Sequence, residues 1–120
     1  MAWFRVDNRL VHGQVIEGWL PYLDATRLVV INDSLATDEL KQQIMMLAIP
    51  ERITVNYVSI ADAMPFFVDL ENKTEKYLFL FDSCRGVIRL IEQGVTIKVL
   101  NVGKLHYAKG KRQICPHVAA

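Results

Sequence analysis

The densest set of reactive side chains in this sequence is "RVDNRLVHGQV", residues 5–15. His12 supplies an imidazole, a good nucleophile when neutral and one that titrates near physiological pH. Arg9, three residues earlier, supplies a planar guanidinium fork suited to phosphate or carboxylate oxygens. Gly13 and Gln14 follow at the start of a predicted helix, where backbone N–H groups are free to face an anion. A nucleophile flanked by a guanidinium and a helix N-terminus suits phosphoryl transfer, in which the protein mainly positions groups and balances charge. Asp7 has two readings. It accepts a bond from one ring nitrogen of His12 and leaves the other to attack, or it pairs with Arg5 or Arg9. Arg5 alternates with Phe4 and Val6 and reads more simply as a strand residue than as a second anion-binding group.

Other candidates carry less chemistry. Cys84 in "DSCRGVIR" stands where a cysteine phosphatase would carry its nucleophile, but the arginine of that pattern falls on Leu90, with Arg89 one position short. A small, half-buried residue at a helix start is the simpler reading. "GKLHYAKGKR", with His106, reads as a phosphate or partner patch or, more simply, as a basic, solvated segment. Trp3, Trp19 and Tyr22 read as core or partly buried packing residues. No Gly-rich nucleotide loop is present, and no spacing of acids and histidines suggests a metal site.

These groups need a scaffold, and the hydropathy pattern supplies one. Short β-branched and aromatic runs alternate with amphipathic segments, which predicts βαβ units in an α/β fold: an open, mostly parallel twisted sheet with helices on both faces. Strands are expected at residues 2–6, 27–31 ("RLVVI"), 52–58 ("RITVNYV"), 77–81 ("YLFLF") and 97–102 ("IKVLNV"). A helix is expected over residues 13–23, with Val15, Ile16, Trp19 and Leu20 on one face. A second starts at Thr37 as N-cap and carries Leu40, Ile44, Leu47 and Ala48 before stopping at Pro50. A third starts at Ser59, with Asp62 in a weak capping box, and ends near Leu70. A fourth covers residues 83–92 and is ended by Gly94. "QICPHVAA" fits a sixth strand only at an edge, because Pro116 cannot donate to a ladder. Ligands of such sheets bind at the carboxyl ends of the strands near a switch point. That edge comprises residues 7–13, 32–34, Ser59, 82–85 and 101–104.

Composition limits the class. With 120 residues, 52% of them hydrophobic, the chain builds one core, a single domain over residues 1–120. Fourteen basic against thirteen acidic side chains leave a net charge of +1, so no global field draws nucleic acid or an anionic membrane surface. Cys84 and Cys115 form neither a disulfide framework nor a CxxC pair, which favours a reducing cytoplasm. No stretch approaches the roughly 20 apolar residues of a membrane span.

"RVDNRLVHGQV" closely resembles the signature of the EIIB component of the mannose, fructose and sorbose family of the bacterial phosphoenolpyruvate-dependent sugar phosphotransferase system (PTS). The resemblance continues through "GWLPYLDATRLVVINDSLATDELKQQIMMLAIP", "YLFLFDSCRGVIRLIEQGV" and "LNVGKLHYAKGKRQI", to about Ile114. It implies that His12 is the phosphorylated histidine and Arg9 the phosphate-binding arginine, with Gly13 and Gln14 lending amides and with Asp7, Asp82, Ser83 and Asn101 bordering the site. It further implies a cytoplasmic phosphotransferase that needs no metal or other cofactor. Phosphate would come from an EIIA phosphohistidine and go to a sugar entering through the EIIC and EIID membrane proteins. Those partners would hold the protein at the inner face of the membrane, and no nucleic acid is involved. Of the two ring nitrogens the resemblance favours Nδ1. Members of that family continue with a further helix and edge strand, so a domain lacking both is expected here. An uncovered edge or apolar surface would then favour a homo-oligomer. Two other readings are compatible with the residues: a regulatory relative phosphorylated on His12 without sugar transfer, and a non-catalytic module that binds an anion at Arg9 and His12.

Overall fold

The computed structural model describes residues 1–103. Five strands form one parallel sheet: β1 (Ala2–Val6), β2 (Arg27–Ile31), β3 (Thr54–Val58), β4 (Tyr77–Phe81) and β5 (Asn101–Val102), in the spatial order β3-β2-β4-β1-β5. Their carboxyl ends are level, with Val6 paired to both Phe81 and Val102, and Ile31 to both Phe81 and Val58. From β1 the chain crosses towards β2, and from β4 it crosses the opposite way towards β5. The two loops therefore diverge between neighbouring strands, which opens the crevice expected of such sheets.

Apolar runs form these strands because both faces are covered. On one face Leu28, Val30, Leu78 and Leu80 pack against Leu10, Val11, Val15, Leu20, Leu35, Ile49 and Ile53. On the other, Val29, Ile31, Tyr77, Phe79 and Phe81 pack against Val87 and Leu90 of α4 (Cys84–Glu92) and against Ala63, Phe66 and Phe67. Phe79 stacks on Phe67 at a centroid distance of 4.7 Å and on Phe4 at 5.2 Å.

Helical segments follow the expected order with instructive differences. The first is a π-wound stretch, Gln14–Trp19, continuing into α1 (Leu20–Leu23). Pro21 has no N–H, and its ring would press on the carbonyl one α-turn back; the wider winding, in which Leu20 N–H bonds to Val15 O, relieves this. An unexpected short helix, α2 (Asp33–Ala36), precedes the one expected from Thr37, which is α3 (Glu39–Met46) and ends before Pro50. Asn32 caps the first through Leu35 N–H, and Asp38 replaces Thr37 as cap of the second by accepting from Lys41 N–H. The expected inward face of Leu40, Ile44 and Leu47 is exposed, and Ile49 and Ile53 fill the core in its place.

The helix expected over residues 59–70 is absent. Ser59 Oγ accepts from Asp62 N–H as foreseen, but only the short 3-10 turns Met64–Phe67 and Leu70–Asn72 follow. Pro65 stands at the start of the first, and stacking of Phe67 on the sheet fixes an aromatic segment with little helix preference. β3 begins at Thr54 rather than residue 52 because Ile53 N–H closes a turn to Pro50 O. β5 is shorter than expected and, among the described residues, pairs only with β1. Cys84, expected to belong to no disulfide framework, is disulfide-bonded; it stands at the start of α4 as expected, buried rather than half-buried. The sixth strand, His106, Cys115 and Lys104 lie outside the described residues. No described helix is long and apolar enough to cross a membrane.

α4 ends as the sequence predicts. Gly94 has φ +102°, its N–H bonds to Ile91 O, and Val95 N–H reaches back to Leu90 O, the Schellman pattern. Nothing lies within 4 Å of a Cβ added at Gly94 or at Gly18, which has negative φ. Gly94→Ala therefore lowers stability by about 1–2 kcal/mol through the backbone alone. Gly18→Ala leaves stability unchanged or raises it by up to about 1 kcal/mol. The denaturant midpoint falls for Gly94→Ala and holds or rises for Gly18→Ala.

Candidate functional site

The site begins where β1 ends. Asp7 N–H still bonds to Phe81 O across the ladder, so the first loop residue is fixed by the sheet, and its carboxylate has no solvent exposure. Leu10 N–H then closes a turn onto Asp7 O, with Leu10 in the left-handed region at φ +52°. That conformation costs a non-glycine residue about 1–2 kcal/mol. Burial of the Leu10 and Val11 side chains in the core offsets it, at about 1.5–3 kcal/mol for a full leucine. The strained turn leaves Arg9 and His12 on the crevice side.

A carboxylate without water must be saturated by donors. Asp7 Oδ1 accepts from the backbone N–H of Arg9 and from Arg9 Nε, both at 3.0 Å. Asp7 Oδ2 accepts from Arg9 Nη2 at 2.9 Å and from Arg5 Nη2 at 3.3 Å, and it lies 3.2 Å from His12 Nε2. Both readings of Asp7 thus hold together: it pairs with the two arginines and with the imidazole. The hydrogen bond from Arg9 to Asp7, and the charge of that carboxylate beside it, hold the guanidinium pKa above its ordinary value, so Arg9 stays cationic.

The imidazole is oriented at both nitrogens. A carboxylate only accepts, so Nε2 carries the proton and donates to Asp7. The lone pair is then on Nδ1, where Gln14 N–H points at 3.3 Å. Gln14 Oε1 in turn accepts from Arg9 Nη2 at 3.0 Å. Nothing lies within 4 Å of a Cβ built on Gly13, so the space beside the turn that follows His12 is open.

Arg5, given a lesser role from the sequence, is only 6% exposed and lies beneath the site. Its guanidinium carbon sits 4.7 Å from the ring centre of Trp19, a cation–π contact that holds the arginine against Asp7. Its strand position carried the signal: Arg5 shares the inward face of Trp3, the face covered by the first helix. Trp19 packs as expected, whereas Tyr22, also read as a packing residue, meets Trp19 edge-on and is 81% exposed.

Gly103 falls on the expected carboxyl edge with residues 101–104, but sequence reasoning assigns it no role of its own. Its N–H bonds to Val6 O at 2.7 Å, and a Cβ there would collide with the Asp7 carboxylate and come within 2.5 Å of Arg5 Nη2. The readable signal was a glycine directly after an apolar strand in a parallel sheet, where backbone approaches a neighbouring loop.

Asp82 and Ser83 follow β4 on the other side of the crevice, Ser83 as N-cap of α4 with no side-chain cap bond, and Asn101 pairs in register with Arg5. All three stand on the expected edge. No hydrogen bond among the described residues ties their side chains to His12 or Arg9.

Comparison with known proteins gives this geometry a context. The family model "PTS system sorbose subfamily IIB component" matches residues 1–120. The sorbose-specific EIIB component of Klebsiella pneumoniae is 32% identical over 115 residues, which is 96% of this chain and 70% of that protein. The mannose-specific EIIAB component of Escherichia coli (strain K12) is 31% identical over 110 residues, 92% of this chain and 34% of that longer protein. The crystal structure of the IIB domain of the Klebsiella pneumoniae sorbose permease superposes with a TM-score of 0.78 at 31% identity, covering 95% of this chain and 74% of that one. The chain therefore belongs to the sorbose-subfamily IIB components of the bacterial sugar phosphotransferase system, in the mannose, fructose and sorbose family, and is a phosphocarrier enzyme of sugar uptake.

Proposed function

We propose that His12 is the residue that carries the phosphoryl group, on Nδ1, and that Arg9 and the amides of Gly13 and Gln14 receive the transferring oxygens. PTS components of this kind work with an EIIA protein and a membrane EIIC protein. In this reading the donor is a phosphohistidine of EIIA, and the acceptor is a sugar held by EIIC together with EIID. The observation that carries the assignment is the pair of bonds on the imidazole: Nε2 on the buried Asp7 carboxylate, and Nδ1 turned to the Gln14 amide.

The step balances without a metal. The P–N bond to the donor imidazole breaks and its electron pair returns to that ring, while the Nδ1 lone pair of His12 forms the new bond. His12 keeps its proton on Nε2, so the phosphorylated ring is cationic, and the Asp7 carboxylate faces that charge. Arg5 and Arg9 together outweigh Asp7 by one positive charge, which meets the negative charge of the phosphoryl oxygens. Transfer to a sugar runs the same geometry in reverse: a sugar hydroxyl oxygen forms the new P–O bond and gives up its proton to solvent, while the P–N bond breaks and its electron pair returns to Nδ1 of His12. Sorbose- and mannose-specific relatives are equally similar to this chain, as expected if the sugar is chosen by the membrane partners.

Incubation with phosphorylated EIIA is expected to give one acid-labile, base-stable phosphate on the wild type and none on His12→Ala. Label retained by that variant, or none on a folded wild type with an authentic donor, would falsify the assignment. Asp7→Asn is expected to slow uptake by about 100-fold or more, because an amide no longer fixes the Nε2–H tautomer. It also lowers stability by about 3–5 kcal/mol by leaving Arg5 buried beside a neutral group. Single-turnover kinetics and a urea titration read the two effects separately; transfer at the wild-type rate would remove Asp7 from the mechanism. Arg9→Ala, at a partly exposed position, is expected to slow transfer more than it shifts the urea midpoint. Unchanged kinetics would refute its role.

A further inference from the structure

Gln14 touches both reacting partners of the site at once. Its backbone N–H lies on the Nδ1 lone pair of His12, and its side-chain Oε1 takes an N–H of Arg9 Nη2. The other N–H of Nη2, together with Nε, is committed to the buried Asp7, which cannot move because Arg5, His12 and the sheet hold it as well. Arg9 Nη2 thus has one place to offer an incoming oxygen, and Gln14 Oε1 occupies it.

We propose that the Gln14 side chain is the resting-state ligand of Arg9, the group that a phosphoryl oxygen displaces when phosphate arrives at His12. The inference rests on the phosphocarrier assignment of His12 and concerns how the empty site is kept ready. The carboxamide oxygen resembles a phosphoryl oxygen in size and accepting power, so it holds the guanidinium in its receiving position. Because it is neutral, it yields to an anion. Its attachment couples the two exchanges: as Nη2 turns from Oε1 to a phosphoryl oxygen, the Gln14 N–H turns from the Nδ1 lone pair to another oxygen, and the lone pair is released to attack. Gln14 is thus a positioning residue for Arg9.

The test compares Gln14→Glu and Gln14→Leu in the full chain, with phosphorylated EIIA as donor and single-turnover uptake as readout. Glutamate keeps the length but adds a charge that stays on Arg9 and repels the phosphoryl group. Uptake is expected to slow by at least about tenfold, about 1.4 kcal/mol of barrier, and to recover in part at high salt, which screens an exposed pair. Leucine keeps the bulk and removes the acceptor, so the guanidinium loses its hold; uptake is expected to slow by about threefold, less than in the Glu variant, with no recovery at high salt. A merely structural glutamine would slow equally in both variants and show no salt rescue. Equal loss in both, or a Glu variant at the wild-type rate, overturns the placeholder while His12 labelling of the wild type keeps the phosphocarrier reading. An unlabelled wild type overturns both. Thermal melts of the two variants within a few degrees of wild type confirm that the rates compare folded proteins.

Discussion

A carboxylate with no access to water organises this molecule. Asp7 sits one residue past β1 with zero exposure, and an unpaired ion there would outweigh the marginal stability of a small domain. Its oxygens must be met by donors in fixed directions, and each donor is tied to a different part of the chain. Arg5 comes from the strand, Arg9 from the turn and His12 from the start of the first helical segment. Satisfying one buried charge therefore sets the strand end, the turn and the imidazole in register. The sheet holds the same residue from behind through the Asp7 amide on Phe81 O.

The rest of the architecture makes that saturation compatible with an open site. Level strand ends put Phe81, Val6 and Val102 side by side, so the loops after β4, β1 and β5 meet at one edge. Gly103 brings the β5 backbone against Asp7 where no side chain would fit. Trp19 covers the inner side of Arg5, so the buried guanidinium faces a ring on one side and the carboxylate on the other. Arg9 remains at the mouth, with 39% of its side chain exposed. One arginine is thus structural and the other available, although both contact the same carboxylate.

Much of this was legible in the sequence. "RLVVI" and "YLFLF" read as buried parallel strands because a sheet covered on both faces requires unbroken apolar runs, and they form β2 and β4 with the expected bounds. Gly94 read as a helix end because only glycine adopts its backbone angle without strain. The cluster at Asp7, Arg9, His12 and Gln14 was legible because its members lie within one loop. The division of labour within it was not, because the alternation around Arg5 does not tell how deep its guanidinium lies. Residues 59–70 misled because Ser59 and Asp62 satisfy a helix start, while stacking of Phe67 on Phe4 and Phe79, a contact distant in sequence, decides the backbone. Leu40, Ile44 and Leu47 misled for the converse reason: helical spacing shows that they share a face, not that anything covers it.

A carrier must release what it accepts, and the charge balance of the cluster serves both steps. Two guanidinium groups without Asp7 would bind a phosphoryl dianion tightly in the ground state, and uniform tightening of an intermediate deepens the well from which the second transfer starts. Asp7 balances one of those charges and takes the Nε–Nη2 edge of Arg9 to itself, so in the proposed site the phosphoryl group meets the remaining donors of one guanidinium and backbone amides. The same carboxylate faces the imidazole proton on Nε2, so in the proposed phosphorylated state a negative charge lies beside the cationic ring. Weak grip on the oxygens and firm support of the ring divide the stabilisation between the two ends of the new P–N bond. Neither end alone holds the intermediate too strongly to pass it on.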